Sequence, residues 1–292
     1  MAGLKEIRTR ITSIKTTRQV TSAMKMVSAA KLKKAQDAII NFRPYAQRLQ
    51  LIMEQVGGSL HGQNISPYCV IRDTENILLI VITSNRGLCG GFNSSVIKEF
   101  QEVVSTKYSA AYAAGRVKIL AIGKQGERLL KSARFKVDIV INDIWDNFSY
   151  PAVEVIANQL MEEFGSGVFD KVEILYNEFV NAAMQRPIIQ EFLPVQIPES
   201  EKAGDEGLII YEPSKAGIAS EMIPRMLRTQ FYKALLDSWA AEHGARMTAM
   251  HLATDNSTEL INDLTLVYNK ARQATITKEI LEISAGAEAL RG

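Results

Sequence analysis

The strongest constraint on this chain lies at its start. From Leu4 to Phe42 there is neither glycine nor proline. Apolar residues recur there in steps of three and four, at Leu4, Ile7, Ile11, Ile14, Val20, Met24, Val27, Ala35, Ile39 and Phe42, and the pattern runs on to Leu49, Met53 and Val56. That period predicts one amphipathic helix over residues 1–56. Pro44 is the interior objection, because proline removes a backbone hydrogen bond and clashes with the preceding turn at about 3 kcal/mol. Gly57-Gly58 is a stop signal. At about 1.5 Å per residue, a helix from Leu4 to Val56 is about 80 Å long, more than a globular domain spans. It has to protrude, and its apolar stripe needs another helix to cover it.

The other end of the chain offers one. From about Ile218 to Leu290 the chain lacks strand punctuation, with apolar positions at Ile218, Met222, Met226, Phe231, Leu235, Trp239, Met247, Met250, Ile261, Leu264, Val267, Ala271, Leu281 and Ala285, and residues 211–292 are assigned to this second helix. Pro224 is expected in the first turn of this helix. Gly244 weakens it by about 1 kcal/mol relative to alanine, and Thr254-Asp255-Asn256-Ser257-Thr258 resembles a cap that would mark a break. One long helix is expected nonetheless, since the protruding helix needs a mate.

The middle, residues 57–210, alternates strand and helix. Asn76–Thr83, Val117–Ile122, Val137–Ile141, Lys171–Phe179 and Arg186–Phe192 read as strands, and Val96–Val104, Lys124–Lys131 and Pro151–Phe164 as helices. The first strand is continuously apolar, as in a parallel sheet covered on both faces. Glu199–Glu206 reads as a polar linker. The fold class is therefore α/β: a central Rossmann-like domain, with N- and C-terminal helices paired as an antiparallel coiled coil.

Composition excludes several classes. With 47% hydrophobic and 23% charged residues the chain is ordinary for a globular protein, so wholesale disorder is not expected. No stretch approaches the run of about 20 apolar residues needed to cross a bilayer. The start of the chain has no apolar core or cleavage signal and is not read as a secretory leader. Two cysteines, Cys69 and Cys89, make no disulfide framework and suit a reducing compartment. The net charge of +2 hides an asymmetry: residues 1–56 hold eleven lysines and arginines against three acids, a net +8, leaving −6 for the rest. A basic end of this kind implies an acidic partner.

The tempting chemical motif is Arg86-Gly87-Leu88-Cys89-Gly90-Gly91-Phe92-Asn93, between a strand and a helix where phosphate-cradling loops sit. It lacks both the Gly-Lys-Ser/Thr ending of a P-loop and dinucleotide-fold glycine spacing. The plainer reading makes Gly87, Gly90 and Gly91 structural, allowing positive φ or close backbone approach. Gly123-Lys124-Gln125-Gly126 repeats the placement. Cys89 is a structural thiol in this reading, despite Arg86 nearby. His61, His243 and His251 join no cluster at metal-ligand spacing, and no catalytic nucleophile, acid or base set stands out. No catalytic residue, cofactor or metal is expected. The basic helix raises nucleic-acid binding as an alternative, but its only aromatics are Phe42 and Tyr45, and its charges surround an apolar stripe.

Several long motifs in order carry a resemblance. The opening Met-Ala-Gly-x-Lys-Glu-Ile-Arg-x-Arg-Ile, with Thr17, Gln19, Thr21, Ala23-Met24-Lys25-Met26-Val27 and Ala30-Lys31, and then Phe42-Arg43-Pro44-Tyr45, resembles the N-terminal helix of the γ-subunit family of F-type ATP synthases. Ala253-Thr254-Asp255-Asn256, Leu264, Tyr268–Ala274, Ile276–Ile280 and Ile283–Ala287 resemble that family's C-terminal signature, and Ser84–Asn93 its central loop. The resemblance implies that both long helices run unbroken, through the Arg-Pro-Tyr and Thr-Asp-Asn motifs. It implies a rotating central stalk inside a ring of α and β subunits, with ε, δ and the membrane c-ring as further partners and no contact with nucleic acid. Membrane association would then go through partners alone, at the cytoplasmic face of a bacterial inner membrane. It places Met24, Lys25, Arg272, Gln273 and Thr277 against the β subunits. It sets the end Ser284-Ala285-Gly286-Ala287 as a slender tip in an apolar sleeve. The inserted segment with a regulatory cysteine pair found in chloroplast members is absent here, so no thiol regulation and a bacterial source are implied.

Overall fold

The computed structural model describes residues 3–57, 66–195, 212 and 214–289. Eleven helices and strands follow in order: α1 (Leu4–Gly57), β1 (Ile77–Ile82), α2 (Phe92–Thr106), α3 (Ser109–Ala113), β2 (Val117–Ile122), α4 (Lys124–Ser132), β3 (Ile139–Ile141), α5 (Tyr150–Gly165), β4 (Lys171–Phe179), β5 (Gln185–Leu193) and α6 (Lys215–Ala289). The polar stretch Glu199–Glu206 and Gly58 lie outside the described residues. The chain divides into two compact units, Met1–Ser28 with Met247–Gly292, and Ala29–Arg246.

In the Ala29–Arg246 unit, one sheet has strand order β3-β2-β1-β4-β5. β1 to β4 are mutually parallel, while β5 runs antiparallel to β4. Every residue of β1 is buried, because both sheet faces are covered. Leu78, Ile80 and Ile82 join a core with α5 and the α6 residues Ile223, Leu227, Phe231 and Leu235. Ile77, Leu79 and Val81 join another with α2, α4 and Tyr108. α1 reaches the first core through Met53, and Phe42 packs edge-on against Tyr232, ring centroids 4.9 Å apart.

Three local expectations need correction. The third strand spans Ile139–Ile141 rather than Val137–Ile141, because the Asp138 carboxylate accepts the Ile119 N–H at 3.0 Å, in place of a ladder carbonyl. The first helix after the glycine-rich loop begins at Phe92, four residues before Val96. Pro224 is not in a first turn: α6 starts at Lys215, where Ser214 accepts the Gly217 N–H at 3.1 Å, so the proline lies in the helix interior. Pro44 is interior to α1 as well. Each proline orphans the carbonyl four residues back. Those carbonyls belong to Ser220 and Ile40, both exposed, where water can serve them.

In the unit of Met1–Ser28 with Met247–Gly292, α1 and α6 pair antiparallel. Thr21 Oγ1 lies 2.8 Å from Thr254 Oγ1, and one turn further along α1 and back along α6, Lys25 Nζ lies 3.3 Å from His251 Nδ1. The cap-like run does not break the helix, since Thr254, Ser257 and Thr258 spend their hydroxyls on the carbonyls of Met250, Ala253 and Thr254. One line of covered positions on α1 is Leu4, Ile7, Ile11, Ile14, Arg18, Thr21, Lys25 and Ser28, and on α6 Met250, Thr254, Ser257, Ile261, Leu264, Tyr268 and Ala271, with Ser22, Met24, Ala253 and Thr258 half-buried beside it. Both sets alternate steps of three and four, the 3.5-residue repeat of a left-handed supercoil. This corrects the expected stripe: Val20 and Val27 are 53% and 58% exposed.

Candidate functional site

Two regions were singled out by the sequence, the glycine-rich loop and the surface of the paired helices. They are built differently.

The loop leaves the carboxyl end of β1, beside β4, at the point where an open α/β sheet of this order would receive a ligand. That crevice is filled by α6. Ala241 and Ala245 pack with Cys89, Phe92 and Phe179. A Cβ at Gly244 would meet the Ala182 carbonyl oxygen at 3.2 Å and its Cα at 3.3 Å, so this glycine lets the helix press onto the β4–β5 turn. Arg246, 6% exposed, donates from Nη2 to the carbonyls of Arg86 at 2.8 Å and Gly87 at 3.2 Å, and from Nη1 to Glu242 at 2.5 Å. Burial holds the Glu242 carboxyl above its ordinary range, opposed by Arg246, Lys31 and Arg86. Burial, with the charges of Arg246 and Lys31, pushes His243 down to about 3, so it is a neutral packing group near neutrality. Burial likewise pushes the Cys89 thiol up, which makes it a poor nucleophile.

Of the three loop glycines, Gly90 alone takes a positive φ, 57°. Gly87 sits in open space, a Cβ at Gly91 (φ −80°) would meet Ser94 Oγ at an ordinary 3.9 Å, and the loop's other left-handed residue is Leu88 at 62°. What Gly87 supplies is its carbonyl to Arg246. The second glycine turn is equally occupied. The N–H groups of Lys124, Gln125 and Gly126 go to Asn85 Oδ1, Ser84 O and Thr83 Oγ1 at 3.1, 3.1 and 2.8 Å. These are the donors a phosphate would need, so this second turn is not built as a nucleotide cradle. Among the described residues no group of three or more histidines, cysteines or acids is placed to hold a metal ion.

The helical surface is open where the loop is closed. Met24 and Lys25 are half-buried in the seam region, with Lys25 beside His251, which also approaches Asp255 at 3.3 Å. Arg272, Gln273 and Thr277 stand on a stretch, residues 272–289, in which every residue is exposed. The cause is the pairing register. With Thr21 opposite Thr254, Leu4, the first residue of α1, falls level with Ala271. The five residues therefore form two zones, about 30 Å apart along α6 at about 1.5 Å per residue. Around them lie exposed large apolar side chains: Val20, Met26 and Val27 on α1, and Ile276, Ile280, Leu281 and Ile283 on α6, the last 72% exposed. Sequence reasoning missed the Arg246 cluster. Glu242 four residues before Arg246 is a helix-pair signal, but spacing does not tell a buried pair from a solvated one.

A sequence profile described as ATP synthase matches residues 3–290. The chain is 53% identical to the ATP synthase gamma chain of Flavobacterium johnsoniae, over 100% of both chains. It is 42% identical to that of Trichlorobacter lovleyi, also over 100% of both. Among solved structures, a chain in the central stalk and c-ring of Tetrahymena thermophila mitochondrial ATP synthase is 27% identical, with a TM-score of 0.58, over 80% of this chain and 99% of that one. A chain of the Euglena gracilis mitochondrial enzyme has the same fold at 22% identity and a TM-score of 0.68, over 98% and 94%. Family, fold and the pairing of long terminal helices thus agree along the whole length, and the chain belongs to the ATP synthase gamma-chain family.

Proposed function

We propose that this chain is the rotating central stalk of a proton-translocating F-type ATP synthase, coupling proton flow to ATP synthesis and hydrolysis without catalysing either. The observation that carries the reading is the bare end of α6: residues 272–289 are all exposed, yet include Ile276, Ile280, Leu281 and Ile283. A helix with that much apolar surface and no mate among the described residues is suited to be covered by a partner. An α/β ring surrounding it supplies the cover. In this reading residues 1–56 and 211–292 are the shaft and residues 57–210 the base domain, which meets ε and the c-ring, with δ elsewhere in the assembly.

The mechanism follows from asymmetry. The shaft offers different contacts to each β subunit at each angle, and differential contact shifts each between open and closed states. Arg272 and Gln273 donate hydrogen bonds to β-subunit acidic loops, Thr277 and Met24 pack against them, and Lys25 supplies charge. No helix among the described residues is long and apolar enough to cross a membrane. Attachment at the cytoplasmic face of the bacterial inner membrane is accordingly through partners.

The test is a tagged chain purified from native membranes in mild detergent. Co-elution of ATPase α and β subunits in excess over this chain, with ε and c, supports the reading. Recovery of the chain alone or with nucleic acid sinks it.

A further inference from the structure

Within the Ala29–Arg246 unit, α1 and α6 face each other across a gap. Among the described residues a cavity of about 700 Å³ lies between them and the β4–β5 pair, a size that suits a small organic molecule. Met226, Gln230, Lys233 and Asp237 line it from α6, in steps of four, three and four, so they share one helix face. Phe42 and Met53 of α1, Phe179 and Phe192 of the sheet and Met226 make its wall largely apolar.

Five charged side chains line the same space, Arg43, Glu178, Glu191, Lys233 and Asp237. Two are paired. Glu178 accepts from Arg186 at 2.7 Å, and Glu191 lies 3.4 Å from Lys171 Nζ. Asp237, Arg43 and Lys233 have no hydrogen bond or ion pair with a described residue. Asp237 is the informative one, because it is only 9% exposed. A carboxylate buried without a partner is unfavourable, and burial holds this one up at about 6, with Lys233 and Arg43 opposing the shift and Glu178 adding to it. Arg43 and Lys233 are exposed, so they stand at the mouth of the cavity while Asp237 stands inside it. No group of three or more histidines, cysteines or acids is placed to hold a metal ion among the described residues, so the cation that fits Asp237 is an organic ammonium. The two cations at the mouth call for the opposite charge on the same molecule.

We propose that this cavity binds a small zwitterion with an apolar body, its ammonium on Asp237, its carboxylate toward Arg43 and Lys233, and its body against Phe42, Phe179 and Met226. The site uses no partner chain and is independent of the stalk reading.

The experiment is isothermal titration of the purified full chain at neutral pH with three probes that share an indole body and differ in charge: tryptophan, tryptamine and indole-3-propionate. Tryptophan is expected to bind tightest. Asp237→Asn should weaken tryptophan and tryptamine by about tenfold, the worth of one charge-assisted hydrogen bond, and leave indole-3-propionate little changed. Arg43→Gln with Lys233→Gln should weaken tryptophan and indole-3-propionate severalfold and spare tryptamine. Melting curves confirm that each variant is folded. Binding by none of the three probes overturns the proposal, since the space is then filled by water or by other residues of the chain. Binding that Asp237→Asn leaves intact overturns it too, because the probes then sit elsewhere. Tryptamine or indole-3-propionate bound as tightly as tryptophan overturns the zwitterion.

Discussion

Two stretches of one helix, α6, follow opposite rules. Residues 240–246 are buried throughout and organised around a buried ion pair, while residues 272–289 are exposed throughout and are covered by none of the described residues. Helical propensity does not explain the difference, since both stretches contain glycine and alanine. What differs is the neighbour: the β1 loop and the β4–β5 turn grip the first, and α1 ends before the second. The lesson is that the same residue type has opposite worth in the two places, which makes the contrast open to direct tests.

Arginine gives the largest effect. Arg246→Ala leaves Glu242 buried without its cation and should destabilise the Ala29–Arg246 unit by about 3–5 kcal/mol in urea melts. Arg272→Ala with Gln273→Ala should change stability by less than about 0.5 kcal/mol, yet lower coupled ATP synthesis in membrane vesicles. Equal melts for the two variants would erase the contrast, and unchanged synthesis would remove the contact role of Arg272 and Gln273.

A smaller effect reports on the buried part alone. Asp237 is 9% exposed, and burial raises its carboxyl to about 6, with Glu178 adding to the shift and Lys233 and Arg43 opposing it. In the unfolded chain this group loses its proton near the ordinary aspartate value. Between those two values the fold holds the extra proton, so stability falls as pH rises through the window, and the penalty persists above it. Asp237→Asn should therefore stabilise by about 1–3 kcal/mol at pH 8, with the gain gone at pH 4. A gain that is the same at both pH values would point to packing rather than charge.

Glycine gives the smallest effect and the sharpest sign. Gly244→Ala brings a methyl to 3.2 Å from the Ala182 carbonyl oxygen and should destabilise by about 1–2 kcal/mol despite alanine's better helix propensity. Gly286→Ala meets nothing within 4 Å and should instead firm the helix end by about 0.5–1 kcal/mol. Paired melts showing the same sign for both would contradict the packing account.

How far the sequence could be read follows from the same physics. Val117–Ile122 and Lys171–Phe179 are bounded to the residue, because runs rich in Val, Ile and Leu flanked by turn residues read as strands. One long C-terminal helix across Gly244 was expected because the protruding helix needs a mate, while the passage through Pro44 and Thr254–Thr258 was settled by the family resemblance, since local propensity there argues for breaks. The seam was misread at Val20 and Val27, where the chain buries hydroxyls and leaves valines out. The proposed contact residues Met24, Lys25, Arg272, Gln273 and Thr277 were accessible only by resemblance, because spacing does not say which exposed positions a partner touches. The Arg246 cluster depends on which loop meets which helix, and no spacing rule conveys that.

The bare end of α6 also has a consequence in time. Amide exchange should be slowest at Ala241–Arg246 and fastest beyond Ala271, where backbone hydrogen bonds are shielded by no neighbour. The last turns of an uncovered chain are therefore open to proteases, and limited proteolysis of the isolated chain should cut beyond Arg272 before it cuts elsewhere in α6.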